Sequence, residues 1–243
     1  MIASIAALLI FWQMLSLVSD PLLLPPPSAV LSFVLADLRS GEMLYHLGMT
    51  LWRVAAAFVI AMLIGSAIGL FLGTSRSADR FFDPWVVLLL NIPALVLIIL
   101  AYVWIGLNEV AAIGAVAMNK VPNVVVTIRE GAKALDPAYR EVARVFQFSR
   151  VETALNVILP QMQPYLAVAT RSGIALIWKI VLVVELLGRS NGVGFQIHLY
   201  FQMFNVAAIL GYTLAFVTIM LAVEVFILQP FERSSTRWRA SHD

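Results

Sequence analysis

The 243-residue sequence contains no cysteine, which excludes disulfides, thiolate metal sites and a cysteine nucleophile. Its three histidines, His46, His198 and His242, lie far apart and lack metal-ligand spacing, so each reads as a satisfied or solvated side chain. Lysine is equally scarce. Lys120, Lys133 and Lys179 follow Asn119, Ala132 and Trp178, so no phosphate-cradling G-x-x-x-x-G-K-[ST] loop exists. A membrane-embedded enzyme would need a converging nucleophile and base or a set of metal ligands, and the sequence offers neither. Charge is sparse: 12% of residues are charged and 61% are hydrophobic, against about 25% and 45–50% in soluble domains. A water-soluble ball of this size could not bury that much apolar surface. The net charge of +2 comes from basic residues scattered among apolar runs, which gives no nucleic-acid patch. The chain reads as an all-α integral membrane protein, and uphill transport by it would need energy from another chain.

A helix needs about 20 apolar residues to cross the hydrocarbon core. Six stretches are expected to span: Ile2–Val18, Leu47–Leu72, Trp85–Trp104, Val110–Ile128, Tyr165–Leu187 and Val206–Leu228. The first lacks a basic leading region and a small-x-small cleavage site, so it reads as a retained helix rather than a signal peptide. Sorting the sixteen cationic residues sets the orientation. With the N-terminus inside, the inner loops hold ten: Arg76, Arg80, Arg129, Lys133, Arg140, Arg144, Arg150, Arg233, Arg237 and Arg239. The outer loops hold two, Arg39 and Arg189, and the spans hold the other four, Arg53, Lys120, Arg171 and Lys179. Both termini are therefore expected on the cytoplasmic side.

Three connecting segments carry further information. In Asp20–His46, Pro21 and Pro25–Pro27 exclude helix, after which Ser28 is expected to cap a short interfacial helix. The glycines of Gly188–Asn205 predict a loop followed by a re-entrant or interfacial helix. Between Lys133 and Pro164, Asp136–Pro137 is a helix-start signal. Tyr139, Val142, Ala143 and Phe146 then share one face, opposite Arg140, Glu141, Arg144 and Gln147. A second short helix, Val151–Leu159, is expected to end before Pro160. Such amphipathic helices either rest on lipid or dock a soluble partner.

Glu141-Val142-Ala143 followed by Ile158-Leu159-Pro160 resembles the coupling motif of ABC importer permeases, a Glu-Ala-Ala triplet, then a glycine, then a Leu-Pro ending. Other stretches resemble the nitrate, sulfonate, taurine and bicarbonate branch of that family. They are Leu23 to Val30, Thr50-Leu51-Trp52-Arg53-Val54 with Gly65 and Gly69 to Gly73, Asn91-Ile92-Pro93 with Trp104-Ile105-Gly106, and Glu185-Leu186-Leu187-Gly188 with Gly192-Val193-Gly194-Phe195. Their order and spacing cover nearly the whole chain. Two positions depart from the pattern: Val142 replaces the first alanine, and Gln147 stands where the glycine is expected.

The resemblance implies one permease domain over residues 1–243, with a core of about 45–230 and a coupling segment over 133–163. It implies a bacterial inner-membrane protein, paired with a second permease copy as a homodimer. A cytoplasmic ABC ATPase dimer would dock on Tyr139, Arg140, Glu141, Val142, Ala143, Arg144, Phe146, Gln147 and Pro160. A periplasmic solute-binding protein would deliver substrate. The ATPase would hydrolyse ATP with Mg, and no cofactor would be bound by this chain.

A charge at the bilayer centre costs about 3 kcal/mol or more and has to face protein or water. Lys120 lies about ten residues, roughly 15 Å, into its span. Lys120, Lys179, Asn119, Asn123 and Glu185 are the candidate lining of a path favouring a small anion. The competing reading is structural pairing, for example of Arg171 or Lys179 with a neighbouring carboxylate. An autonomous channel or secondary carrier would share six spans and buried charges, but would not require the coupling motif.

Overall fold

In hydrocarbon a backbone has to satisfy its own N–H and C=O groups, so apolar runs fold as helices. The computed structural model describes residues 2–230, and all regular structure among them is helical. Arg233, Arg237, Arg239 and His242 lie outside the described residues, as does the side chain of Arg140. The helices are α1 (Ile2–Val18), α2 (Pro27–Ser40), α3 (Glu42–Thr74), α4 (Arg76–Asn91), α5 (Ala94–Ile105), α6 (Glu109–Lys133), α7 (Pro137–Val145), α8 (Arg150–Thr153), α9 (Leu159–Gly188), α10 (Val193–Gln202) and α11 (Val206–Val223). π-helical turns at Ala154–Ile158 and Glu224–Leu228 continue α8 into α9 and extend α11.

Among the described residues, four continuous helices are long and apolar enough to cross a membrane: Glu42–Thr74, Glu109–Lys133, Arg150–Gly188 and Val206–Leu228. The expected span Trp85–Trp104 is not one helix. Its two halves, α4 and α5, meet at a 92° bend. Pro93 disfavours the helical region for the residue before it, and Ile92 is extended, at φ −72° and ψ 123°. Helix α1 has the expected bounds, but its 17 residues rise only about 25 Å, at the lower limit of the length that spans a bilayer.

Two further expectations are corrected. Helix α2 starts at Pro27, with Pro26 in the N-cap position and no side-chain cap, because a proline at the first position already has the helical φ and needs no donor partner. Ser28 therefore lies inside the helix. Nor does Pro160 end a short helix, since Arg150–Gly188 runs through it for 39 residues. The π turn absorbs the mismatch: the Leu159 N–H reaches back to the Ala154 carbonyl, widening the helix one residue ahead of the proline.

The chain divides into two compact units. The first comprises Met1–Arg53 and Val181–Ala222, thus α1, α2, the start of α3, the end of α9, α10 and α11. Gly211 lies against Phe33, and the Tyr212 hydroxyl donates to Asp37 at 2.6 Å. Phe33, Tyr200 and Tyr212 pack with ring centres 5.5–6.2 Å apart.

The second unit comprises Val54–Ile180 and Val223–Asp243. Its centre is the α3–α6 seam, where Gly65, Gly69 and Gly73 face Val124, Ile128 and Ala132. A Cβ added to each glycine would lie 2.6, 2.8 and 2.5 Å from the facing Cβ. The absent side chains let the two backbones approach, as in small-residue membrane packing. Residue numbers rise together along both helices, so α3 and α6 run parallel.

Candidate functional site

Helix α7 forms as the sequence predicts: the Asp136 carboxylate accepts the Ala138 N–H at 2.8 Å, and Pro137 occupies the first turn. Its apolar side has little to pack against. Ala143 is 3% exposed, whereas Phe146 is 69% exposed and Tyr139, Val142 and Val145 are also exposed. Gln147 adopts the left-handed conformation, φ 52°, the turn that glycine makes without strain. The Gln147 N–H donates to the Arg144 carbonyl at 3.0 Å and the Phe148 N–H to the Ala143 carbonyl at 2.9 Å, a Schellman cap. Ser149 and Glu152 then form a capping box that starts α8. The Asp136 N–H donates to Gln161 Oε1 at 3.0 Å, tying the start of α7 to α9. Of the candidate coupling residues, the exposed face groups Tyr139, Val142 and Phe146. Glu141 and Arg144 are exposed on the same helix, while Pro160 lies in the first turn of α9.

Beside this segment, α4 and α6 are clamped by charge. Arg129 Nη1 meets Asp83 at 2.6 Å and Asp79 at 3.1 Å, and Lys133 Nζ meets Asp79 at 2.8 Å. The carboxylates are four residues apart on α4 and the cations four apart on α6, so one turn of each helix matches the other. Lys133 also lies in the last turn of α6, where a cation complements the helix dipole.

Further along α6, Lys120 is 2% exposed. Its ammonium has one hydrogen bond, to Ser172 Oγ at 3.5 Å, and Lys120 Cε and the Phe58 ring both lie against Gly173, 3.3–3.5 Å from where its Cβ would stand. Among the described residues no carboxylate pairs with it. Asn119 and Asn123 are half-buried on the same helix. On α9, Arg171 pairs with Glu224 at 3.3 Å, and Lys179 is exposed with its ammonium 5.5 Å from the Trp178 ring centre. Among the described residues, no three His, Asp or Glu side chains are arranged to hold a metal ion.

Glu185 belongs to a different site, in the first unit. It is 0% exposed and accepts Arg53 Nη1 at 2.7 Å, Thr50 Oγ1 at 2.9 Å and the Gly194 N–H at 2.8 Å. Arg53, 1% exposed, also donates to the Asn191 carbonyl at 2.9 Å and to Asn191 Oδ1. The Gly192 N–H donates to His46 Nδ1 at 3.0 Å and the Val193 N–H to Thr50 Oγ1 at 2.8 Å. Gly192 has φ 108°, and a Cβ on Gly192 or Gly194 would run into Glu185 or the Leu182 carbonyl. The loop between α9 and α10 is thus stitched to α3, with the glycines required by the close approach.

Thr50, Ser172 and the Arg53–Glu185 pairing are not evident as sites from the sequence. Partners 132 positions apart leave no local signal, and a serine beside an arginine reads as unremarkable. His46 is buried and hydrogen-bonded, a satisfied histidine as expected. Outside the spans, burial pushes the Tyr200 phenol up, reinforced by Asp37 and Glu42, so it packs as a neutral aromatic.

Comparison with known proteins fits this architecture. The chain is 29% identical over 241 residues to a Bacillus subtilis (strain 168) protein named as an aliphatic sulfonates transport permease, SsuC, covering 98% of this chain and 87% of that one. It is 28% identical over 204 residues to the taurine transport system permease protein TauC of Escherichia coli (strain K12), covering 81% and 74%. The fold is also that of a chain in inward-facing structures of the MetNI methionine ABC transporter, with a TM-score of 0.69 at 16% identity, over 83% of this chain and 99% of that one. The model of one family matches residues 61–231, and the chain belongs to it: the binding-protein-dependent transport system inner membrane components.

Proposed function

We propose that this chain is the permease half of an importer in which a separate ATPase docks on the segment 133–163 and drives alternating access for a small anion. The unpartnered apolar face of α7 carries this reading. Four large apolar side chains project from a nine-residue helix and its C-cap residue Phe146, and a soluble partner that buries them gains about 1.5–3 kcal/mol for each fully buried group. The Schellman turn at Gln147 and the Asp136–Gln161 tie make that helix a rigid lever on α9, suited to passing on a rigid-body push.

The chain forms one permease domain with six membrane passes and cytoplasmic termini, α4 and α5 together making the third pass. Parallel α3 and α6 support this topology, since the chain between them has to return across the membrane. The functional unit is a homodimer of this chain with an ATPase pair that hydrolyses ATP with Mg, supplied by a periplasmic binding protein. Lys120, Asn119, Asn123 and Lys179 line the path. Glu185, saturated by Arg53, Thr50 and Gly194, anchors the α9–α10 loop instead. The sulfonate-type compounds named for the relatives support an anionic cargo.

The absence of native cysteine makes the docking test direct. A Phe146→Cys variant is expected to crosslink to the ATPase subunit produced with it, while Trp104→Cys, exposed at the end of α5, is not. Capture of the ATPase at Trp104→Cys and not at Phe146→Cys would overturn the assignment.

A further inference from the structure

We infer that Lys120 Nζ and Ser172 Oγ form a binding site for a singly charged oxyanion, a sulfonate, carboxylate or nitrate head group. The site rests on the reading of Lys120 as path-lining, and Ser172 is its second ligand.

An ammonium has three N–H donors. Lys120 uses one, in a hydrogen bond at the long limit of 3.5 Å, and is otherwise enclosed beside Phe58 and the bare backbone of Gly173. A buried cation with a single neutral partner is costly, and structural pairing does not relieve it. Among the described residues, Glu224 pairs with Arg171, and Asp79 and Asp83 pair with Arg129 and Lys133 rather than with Lys120.

Ser172 opens the site outward. Val168, Arg171, Ser172, Ala175, Leu176 and Lys179 form one exposed stripe along α9, so an ion on that face reaches the hydroxyl directly and the ammonium just behind it. The Ser172 hydroxyl spends its proton on the Ala169 carbonyl at 3.3 Å, a weak bond that rotation exchanges for an anion oxygen. One uncompensated cation with one hydroxyl matches a monoanion with two or three oxygens. Arg171 adds no net charge, because Glu224 cancels it. Lys179, two turns away or about 12 Å from Arg171, is too far to share the same small ion and serves as a separate point of attraction.

The test uses the complete chain in detergent micelles and needs no ATPase, so its failure leaves the importer assignment standing, and failure of the importer leaves it standing. The Ser172→Cys thiol is reacted with an anionic methanethiosulfonate (sulfonatoethyl) and a cationic one (trimethylammonioethyl), each rate being divided by that reagent's rate with a free thiol. The expected normalised preference for the anionic reagent is about tenfold, within the range that charged clefts give, and it disappears in Ser172→Cys/Lys120→Gln. Sodium methanesulfonate is expected to slow the reaction, while neutral dimethyl sulfone is not. Because Ser172→Cys removes the hydroxyl, Ala175→Cys on the same stripe is measured with Ser172 intact and is expected to show the same Lys120-dependent preference. Equal normalised rates for the two reagents at both positions, or a preference that survives Lys120→Gln, would overturn the proposal.

Discussion

The Arg53–Glu185 pair permits a quantitative test. Both side chains are fully buried, and Glu185 accepts three hydrogen bonds, from an ion-pair partner, a hydroxyl and a backbone amide. In Glu185→Ala, Arg53 loses its carboxylate and keeps its bonds to Asn191, and the Gly194 N–H loses its acceptor. Removing one partner of a buried ion pair costs about 3–5 kcal/mol, so the folded-to-unfolded ratio falls by roughly two to four orders of magnitude. Arg53→Met strands the carboxylate and costs a similar amount. The double variant Arg53→Met/Glu185→Leu removes both charges. Thr50 Oγ1 still donates to the His46 carbonyl and the half-buried Asn191 can turn to water, so the main remaining cost is the buried Gly194 N–H without its acceptor, about 1–3 kcal/mol. It is therefore expected to be more stable than either single variant. Unfolding of the purified protein by increasing SDS in mixed micelles, followed by tryptophan fluorescence, measures all four proteins. A double variant as unstable as the sum of the singles would refute the account, as would a Glu185→Ala protein as stable as the wild type.

Three further outcomes follow from local geometry. Gln147→Gly relieves a left-handed conformation costing about 1–2 kcal/mol, against about 0.5–1 kcal/mol of added unfolded-state entropy; slower amide exchange over 137–148 is expected. Gly69→Ala places a Cβ 2.8 Å from Ile128 Cβ and 2.9 Å from the Val125 carbonyl and is expected to destabilise by about 1–3 kcal/mol, whereas Gly48→Ala, with nothing within 4 Å, should match the wild type or exceed it in the same SDS titration. Arg129→Gln loosens the α4–α6 clamp; because Asp83 is half-exposed, the loss is about 1 kcal/mol and shrinks at high salt.

Hydrophobic runs and capping signals made the helices legible: Ile2–Val18 and the start of α7 at Pro137 follow directly from composition and Asp136–Pro137. Prolines were harder to read, because the same residue acts differently by context. Pro93 breaks a span by forcing Ile92 into extended backbone, whereas Pro160 is accommodated by the π turn before it. Gln147 illustrates a related limit. A departure from glycine at that position does not alter the turn, because the Schellman hydrogen bonds hold a glutamine in the glycine conformation. For the candidate sites, Lys120 stood out as an intramembrane charge. Its partner Ser172, and the pairing of Arg53 with Glu185, depend on which helices pack together, and no local pattern encodes that.

The most direct test of the central claim is solute movement in vesicles. With the chain reconstituted alone, with its ATPase, and with the ATPase, the binding protein and ATP-Mg, accumulation of labelled taurine, ethanesulfonate and nitrate is measured. Uptake only in the complete system, abolished by omitting ATP, is the predicted result. Comparable flux of any of these solutes through the chain alone would contradict it.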